Sequence, residues 1–308
     1  MTRPAIPVVS YPDLLSTTAA RQRAIATLGQ ALEEIGFFIL EPHPVSPEVV
    51  RRAYQVASEF FALGDRDKTQ YNLPQCQGGF SSFGSEQAKG HTLPDLKEFW
   101  HVNRQSLTDT EALWPQEVPS FRPVMTRLYQ QLIACAEVLL AACAEYLGQP
   151  GDWLVAMATG GDTVLRLAHY PPVGATPPGS LRAAPHEDIN LITLLCEATA
   201  PGLEILTDGG QWLPIQTTPG QIVVDTGDML QNLTNGLFKS TTHRVVNPRN
   251  SNQSRLSMPF FVHPRPEVDL TPIASLIERT GGLSQFPPIT AQAYLAQRLA
   301  EIQVGPAA

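Results

Sequence analysis

The second half of the chain is a succession of short apolar runs separated by turn-forming residues. The runs are "TVLRLAHY", "NLITLLC", "GLEIL", "QWLPI", "QIVVDT", "HRVV" and "RLSMPFFV", and the separators include "PPVGATPPGS", "TDGG", "TTPG" and "NPRNSN". Short strands at this spacing are typical of a β-sandwich or barrel. The pattern therefore predicts a mainly β core over residues 156–265.

Helical patterns lie on both sides of this core. Apolar residues at helical spacing occupy Thr17–Ile35, Ser46 followed by proline starts a second helix, and "VMTRLYQQLIACAEVLLAACAEYL" predicts a long third helix. Between the first two, "FFIL" predicts a buried strand, and the tail returns to helix in "PIASLIERT" and "TAQAYLAQRLAEI". We expect a helical N-terminal region with a few strands over 1–155 and C-terminal helices over 266–308, packed with the core as one structural unit.

Composition narrows the class of protein. The formal net charge is −8 and no Lys/Arg cluster is present, which argues against a nucleic-acid partner. We expect no membrane partner, since no apolar run approaches the ~20 residues of a membrane span and the first residues lack a signal-peptide pattern. The four cysteines have no C-x-x-C spacing, so we expect reduced thiols and a cytoplasmic protein. The sequence leaves the oligomeric state open, and a monomer is compatible with it.

Three ionisable residues stand in front of an apolar run in "APHEDINLITLL". His186 and Asp188 are two positions apart, so in a strand their side chains share one face. An imidazole and a carboxylate supply two ligands for a divalent metal, and a second histidine would complete the arrangement of non-haem Fe(II) oxygenases, which leaves coordination positions open. His243 is favoured because it follows a loop, begins a β-branched strand and lies several strands downstream. The other candidates are His43, His91, His101, His169 and His263.

A second pair of residues strengthens this interpretation. A lone H-x-D triplet is more often a surface or turn feature, with Asp188 capping a turn and His243 an ordinary strand residue. However, Arg255 and Ser257 in "SRLSMPFFV" also share a strand face. A guanidinium facing a barrel interior needs an anionic partner, and a cosubstrate carboxylate is one such partner.

Together these motifs resemble the iron- and 2-oxoglutarate-dependent dioxygenases of the isopenicillin N synthase-like family. "IPVVSYPDLL", "LEEIGFFIL" and "ASEFFAL" resemble its N-terminal region, "DLKEFWHV" its D-x-K-E segment, and "LRLAHYPP" the strand with a pocket tyrosine. "PHEDINLITLL", "QIVVDTGDMLQNLTNGLFKSTTHRVV" and "RLSMPFF" resemble the metal and cosubstrate motifs in order. The resemblance implies a double-stranded β-helix, a relative of the jelly roll, with flanking helices. Asp225 stands where relatives often carry asparagine, and Ala168 where they often carry a polar cosubstrate contact.

The resemblance also implies residue roles. Carried over by position, the Fe(II) ligands and catalytic residues are His186, Asp188 and His243, and the contacts to 2-oxoglutarate are Arg255, Ser257 and Tyr170. The implied enzyme is an oxidoreductase that uses O2 and 2-oxoglutarate, releases succinate and CO2, oxidises a small molecule, and takes ascorbate as reductant in vitro. The carboxylate ligand favours hydroxylation, desaturation or ring closure, because halogenating relatives have a small residue there.

Two alternatives stay open at this point. Oxidases of the same family keep the R-x-S pair for the substrate's own carboxylate and do not use 2-oxoglutarate, and a metal-binding jelly roll can also act as a sensor without turnover. The substrate is not encoded in any motif. Strand alternation places Arg166 on the face of Tyr170, where it would bind an amino or organic acid or else pair with a protein acid such as Glu98 or Asp95. Phe260 is the other candidate substrate contact.

Overall fold

The computed structural model describes residues 6–73, 78–172, 174, 178–247 and 253–304. The helices are α1 (Tyr11–Leu14), α2 (Ala19–Glu34), α3 (Pro47–Phe61), α4 (Asp65–Thr69), α5 (Arg104–Thr108), α6 (Phe121–Tyr146), α7 (Trp153–Ala158), α8 (Asp228–Leu233), α9 (Ala274–Arg279) and α10 (Ala291–Glu301). The strands are β1 (Val8–Val9), β2 (Phe37–Leu40), β3 (Gly79–Ser81), β4 (Glu86–Gln87), β5 (Glu98–Asn103), β6 (Val164–Tyr170), β7 (Ala183–His186), β8 (Ile192–Cys196), β9 (Leu203–Leu206), β10 (Trp212–Pro214), β11 (Ile222–Thr226), β12 (His243–Val245), β13 (Arg255–Ser257), β14 (Pro259–Val262) and β15 (Gln303–Val304).

Two facing sheets enclose a cavity. Within the described residues the larger sheet has nine strands in the order β1-β2-β11-β8-β14-β6-β5-β3, with β13 also paired to β6. The smaller sheet has the order β10-β9-β12-β7, and side chains of both sheets line the same cavity. The predicted β core with flanking helices is therefore confirmed, and the larger sheet also recruits strands from the N-terminal region.

Strands of the larger sheet separate a helix-facing side from a cavity-facing side. Leu165 and Leu167 of β6 are fully buried in the main hydrophobic core beneath the helices, whereas Arg166 between them lines the cavity. In β14, Phe260 faces the helices and Phe261 faces the cavity. Because successive side chains of a strand point to opposite faces, a single strand contributes to both the core and the site.

Local sequence sets where the flanking helices begin. The Ser46 hydroxyl accepts a hydrogen bond from the Val49 N–H and Pro47 occupies the first turn, so α3 begins as predicted. The long helix α6 begins at Phe121, before Pro123. Proline is tolerated there because the N–H it lacks would have no partner in the first turn of a helix.

Helix α6 requires a correction to the sequence analysis. It is long and apolar enough to cross a membrane by length and composition, contrary to the expectation from the sequence. However, 56% of its most apolar window is buried inside the protein, and α6 packs against α2, α3 and α7. The apolar character of α6 is thus that of a core helix.

The main hydrophobic core joins all three predicted segments of the chain. It contains Val9 from the N-terminal region, Leu194 from the β core and Leu276 from the C-terminal helices. This continuity supports our proposal that the segments 1–155, 156–265 and 266–308 form one structural unit.

Candidate active site

Two histidines and one aspartate lie close together where strands β7 and β12 of the smaller sheet border the cavity. His186 ends β7 and His243 begins β12, and the two residues are direct partners in the antiparallel β7–β12 pair. Asp188 follows β7, and its Oδ1 lies 3.9 Å from His186 Nε2 and 3.7 Å from His243 Nε2. The ligand atoms of the three residues all lie within 4.8 Å of one another.

Backbone carbonyls orient both imidazoles. His186 Nδ1 lies 2.7 Å from the Ala184 carbonyl oxygen, and His243 Nδ1 lies 3.2 Å from that of Thr241. A carbonyl can only accept, so each Nδ1 carries the proton and each Nε2 presents a lone pair. Burial, followed by the neighbouring His243, lowers the pKa of His186 to about 4, so this ring is neutral at physiological pH.

The aspartate is held by a short chain of side chains. The Thr193 hydroxyl donates to Asp188 Oδ2 and accepts from Asn190 Nδ2 at 2.9 Å, which leaves Asp188 Oδ1 directed at the histidines. Asp225 lines the same cavity, and burial followed by the charge of Asp188 raises its pKa. Asp225, one of the two noted departures from the motif pattern, thus lies in the same cavity as the three-residue cluster.

The donor set fits a divalent first-row metal. Two neutral imidazole nitrogens and one carboxylate oxygen are the ligands of non-haem Fe(II) sites, and within the described part of the chain this is the one such cluster with ligand atoms so close. The other predicted candidates have different neighbours: His169 Nδ1 lies 2.7 Å from Glu98 Oε1, and His101 Nε2 accepts from Arg166 Nε at 2.7 Å.

A buried arginine lies elsewhere on the cavity wall. Arg255 is 2% exposed, and β13 pairs Arg255 with Tyr170 and Ser257 with Ala168 of β6. Arg255 Nη1 donates to Ser257 Oγ at 2.9 Å, Nε donates to the Ala200 carbonyl at 3.0 Å, and Cζ lies 5.0 Å from the Tyr170 ring centroid. No carboxylate among the described residues forms an ion pair with Arg255, so its charge is available to an anionic ligand.

Two further cations line the cavity, and both are paired with acids. Arg166 donates from Nη1 and Nη2 to the two oxygens of Glu86, each at 3.0 Å. Lys97 Nζ lies 2.6 Å from Glu86 Oε2 and 2.8 Å from Asp95 Oδ2. Burial disfavours the charge of Glu86, but Arg166 and Lys97 outweigh it and hold the pKa of Glu86 well below its ordinary value. The two cations that line the cavity are thus paired with two acids, and these four residues are called the polar wall below.

The structure corrects two expectations about substrate contacts. Arg166 pairs with a protein acid, but that acid is Glu86 and neither Glu98 nor Asp95. Phe260 does not line the cavity: it is fully buried and packs edge-on against Tyr129, with ring centroids 5.0 Å apart. Alternation along β14 instead presents Phe261, whose ring lies 5.4 Å from Arg166 Cζ.

Sequence reasoning missed two residues of the polar wall, Lys97 and Glu86, and offered Asp95 only as a partner of Arg166. Lys97 lies in the "DLKEF" segment, which was noted for its resemblance without a role for this lysine. Glu86 lies in a Gly/Ser-rich stretch whose composition predicts only a loop. The sequence around Glu86 gives only a weak indication of a buried ion pair, since a lone acid in a polar loop is usually solvated.

Comparison with known proteins places these features in a family. Residues 161–264 match the model of the 2OG-Fe(II) oxygenase superfamily, and residues 6–123 match that of the N-terminal region of non-haem dioxygenases in morphine synthesis. A 2-oxoglutarate-Fe(II) type oxidoreductase of Aspergillus fumigatus is 30% identical over 281 residues, covering 85% of this chain and 82% of that protein.

Solved structures are similar over almost the whole chain. A 2OG-Fe(II) oxygenase family protein from Caulobacter crescentus is 36% identical with a TM-score of 0.85, covering 97% of this chain and 99% of that one. A full-length Neurospora crassa protein in complex with alpha-KG and thymine is 25% identical with a TM-score of 0.86, covering 96% of both chains. The shared fold is the double-stranded β-helix predicted from the sequence.

Proposed function

Because the chain belongs to the 2OG-Fe(II) oxygenase superfamily, we propose that His186, Asp188 and His243 bind its Fe(II). The observation that carries this assignment is the convergence of two Nε2 atoms and one carboxylate oxygen within 4.8 Å. Each histidine is fixed through its other nitrogen and the aspartate through Thr193, so little ordering is needed when the metal binds.

The protein is a non-haem Fe(II)- and 2-oxoglutarate-dependent dioxygenase that acts on a small molecule. Bound Fe(II) supplies the oxidation of the substrate by O2, coupled to conversion of 2-oxoglutarate to succinate and CO2. A 2-oxoglutarate-independent oxidase and a sensor without turnover are not favoured, since the similar structures include one with alpha-KG bound.

Arg255, Ser257 and Tyr170 are our proposed contacts for the distal carboxylate of 2-oxoglutarate. Arg255 is buried without an acid partner among the described residues, and a fork of guanidinium donors matches a carboxylate. Ser257 Oγ accepts a hydrogen bond from the Arg255 guanidinium, and the Tyr170 ring centroid lies 5.0 Å from Arg255 Cζ. Holding the far end of the cosubstrate orients its oxo-acid end towards the metal ligands.

Apolar side chains complete the cavity. Phe37, Leu195, Leu203 and Val223 line it between the polar groups, and Phe37 packs edge-on against His243 with ring centroids 5.7 Å apart. These residues exclude water and leave the metal ligands, Arg255 and the polar wall as the groups that orient reactants.

The metal assignment is tested by replacing one histidine at a time. His186→Ala and His243→Ala should abolish Fe(II)-dependent release of succinate, while His91→Ala, at an exposed histidine away from the cluster, should behave as the wild type. Calorimetric titration with Mn(II) should show loss of binding in the first two variants only. Near-wild-type turnover by either would refute the assignment.

The charge balance of the polar wall indicates the substrate class. Arg166 and Lys97 line the cavity and pair with Glu86 and Asp95, so they offer hydrogen-bond donors to a substrate without an excess of positive charge. We therefore propose a compact polar substrate with no net charge, such as a neutral heterocycle or a zwitterionic amino acid. The similar Neurospora crassa protein, crystallised with thymine, provides one example with a neutral heterocycle. An organic acid is the weaker candidate, because Arg166 already has a bidentate partner.

A substrate panel separates these classes. Pyrimidines, amino acids, monocarboxylic acids and neutral phenolics should be compared by succinate formed above the uncoupled background. Stimulation by monocarboxylic acids alone would overturn the proposal. Loss of that stimulation in Arg166→Met would then return Arg166 to the role of carboxylate ligand.

We further propose a cytoplasmic location and no nucleic-acid or membrane partner. The described cysteines, Cys135, Cys143 and Cys196, are all buried free thiols, which supports a reducing compartment. The formal net charge of −8 supports the absence of a polyanionic partner.

A further inference from the structure

A second arginine is buried near the proposed cosubstrate end of the cavity. Arg182 directly precedes β7 and is 0% exposed, among the largest fully buried side chains of the protein. Its Nη2 donates to the Gln253 carbonyl oxygen, whereas Nε and Nη1 have no hydrogen-bond partner among the described residues. No described acid forms an ion pair with it.

This arrangement is costly in the absence of an anion. A guanidinium stays charged in proteins, and a buried charge without a partner loses its hydration without compensation. Burial, followed by the charge of Arg255, lowers the pKa of Arg182, which shows that both effects disfavour its cationic form. The Tyr170 ring offers a cation–π contact, but such a contact is weaker than an ion pair.

The position of Arg182 identifies where an anion would compensate it. Arg182 Cζ lies 5.9 Å and Arg255 Cζ lies 5.0 Å from the same Tyr170 ring centroid. Gln253, whose carbonyl Arg182 contacts, lies two residues before Arg255. Strand β7 begins at the next residue, Ala183, and ends at His186, so Arg182 lies at the end of the strand away from the metal cluster.

We propose that Arg182 is a second binding residue for 2-oxoglutarate, and that it shares the distal carboxylate with Arg255 beside Tyr170. The inference rests on the proposed cosubstrate site and extends it by one residue that no sequence motif marks. A dicarboxylate with its far end here compensates two buried cations at once. The site should therefore discriminate strongly against oxo acids that lack the second carboxylate.

The test compares two ligands on Mn(II)-loaded enzyme by titration calorimetry. 2-Oxoglutarate carries the distal carboxylate, and 2-oxobutyrate keeps the chelating oxo-acid group without it. Arg182→Met should weaken 2-oxoglutarate about 10- to 100-fold, the loss of one charge-assisted contact, and leave 2-oxobutyrate unchanged. Arg23→Met, which makes the same change on the exposed face of α2, should alter neither affinity.

Thermal unfolding supplies an independent readout. Without 2-oxoglutarate, Arg182→Met should melt at or above the wild-type midpoint, because an uncompensated buried charge is removed. A purely structural arginine predicts the opposite sign. Adding 2-oxoglutarate should raise the midpoint of the wild type more than that of the variant.

The outcomes separate this inference from the proposed function. Arg255→Met should collapse the preference for 2-oxoglutarate over 2-oxobutyrate. If it does and Arg182→Met leaves the preference intact, the inference on Arg182 is wrong while the cosubstrate site stands. If neither variant changes the preference, the cosubstrate site itself is wrong. Should Arg182→Met fail to fold, Arg182→Lys is judged by the same ratio, and an unchanged ratio overturns the inference.

Discussion

Replacing Glu86 with glutamine removes the charge that joins Arg166 to Lys97 in the cavity wall. The carboxylate accepts from Arg166 at 3.0 Å through both oxygens and lies 2.6 Å from Lys97 Nζ. Its side chain is 15% exposed and that of Arg166 18% exposed, so solvent screens these pairs only weakly. After the substitution Asp95 still pairs with Lys97, but Arg166 has no acid partner among the described residues.

The expected loss of stability follows from this geometry. Removing one partner of a buried ion pair costs about 3–5 kcal/mol, and the residual exposure of Arg166 favours the lower end. About 3 kcal/mol corresponds to a fall in the unfolding midpoint of roughly 6–12 °C for a domain somewhat smaller than this chain. Thermal unfolding at pH 7, monitored by circular dichroism, measures this fall in the midpoint.

The pH dependence checks the cause of that loss. The folded-state pKa of Glu86 is depressed below its ordinary value of 4.5, so the unfolded chain binds more protons in acid. The stabilisation by Glu86 is therefore fully present above that value and is lost as the pH falls towards the folded pKa. The difference in stability between wild type and Glu86→Gln should be constant near neutrality and narrow below about pH 4.5.

A matched surface substitution sets the baseline. Glu59→Gln removes a carboxylate that is 44% exposed and 4.0 Å from Arg52, where an ion pair contributes about 0–1 kcal/mol. Equal midpoints for Glu86→Gln and Glu59→Gln, or a difference that does not vary with pH, would refute the reasoning. Glu86→Gln should also shift substrate preference towards anions, because the cavity wall gains net positive charge.

Four further substitutions test other parts of the structure. Phe260→Ala should lower the free energy of unfolding by about 3–5 kcal/mol as a core cavity, whereas Phe261→Ala should mainly raise the KM for substrate; equal melting midpoints would contradict the assigned faces. Thr193→Val should weaken Mn(II) binding about 10- to 100-fold, since Asp188 loses its hydroxyl donor, and an unchanged titration would exclude that role. Gly227→Ala should prevent stable folding, because a Cβ there would lie 2.2 Å from a backbone oxygen; a wild-type midpoint would contradict the close packing.

The sequence alone led to the main features of the candidate site. His186 and Asp188, like Arg255 and Ser257, are paired by a two-residue spacing whose consequence is local: both side chains share a strand face. The order of these motifs along the chain carried the resemblance and with it the fold. Helix starts such as Ser46-Pro47 were equally local, because a cap depends on residues a few positions apart.

Tertiary structure alone decided which partners and faces the remaining residues have. The run "PFFV" offers two adjacent phenylalanines, and a shift of one residue exchanges the core face for the cavity face, so only the packed sheet sends Phe260 to the helices and Phe261 to the cavity. Arg166 forms its ion pair with Glu86, which is 80 residues away in the sequence. Arg182 lies near the Tyr170 ring only because β6 and β7, which belong to different sheets, are brought together in the fold. Strand periodicity fixes which side chains share a face, but the acid that meets a buried cation is set by long-range packing, which no local spacing encodes.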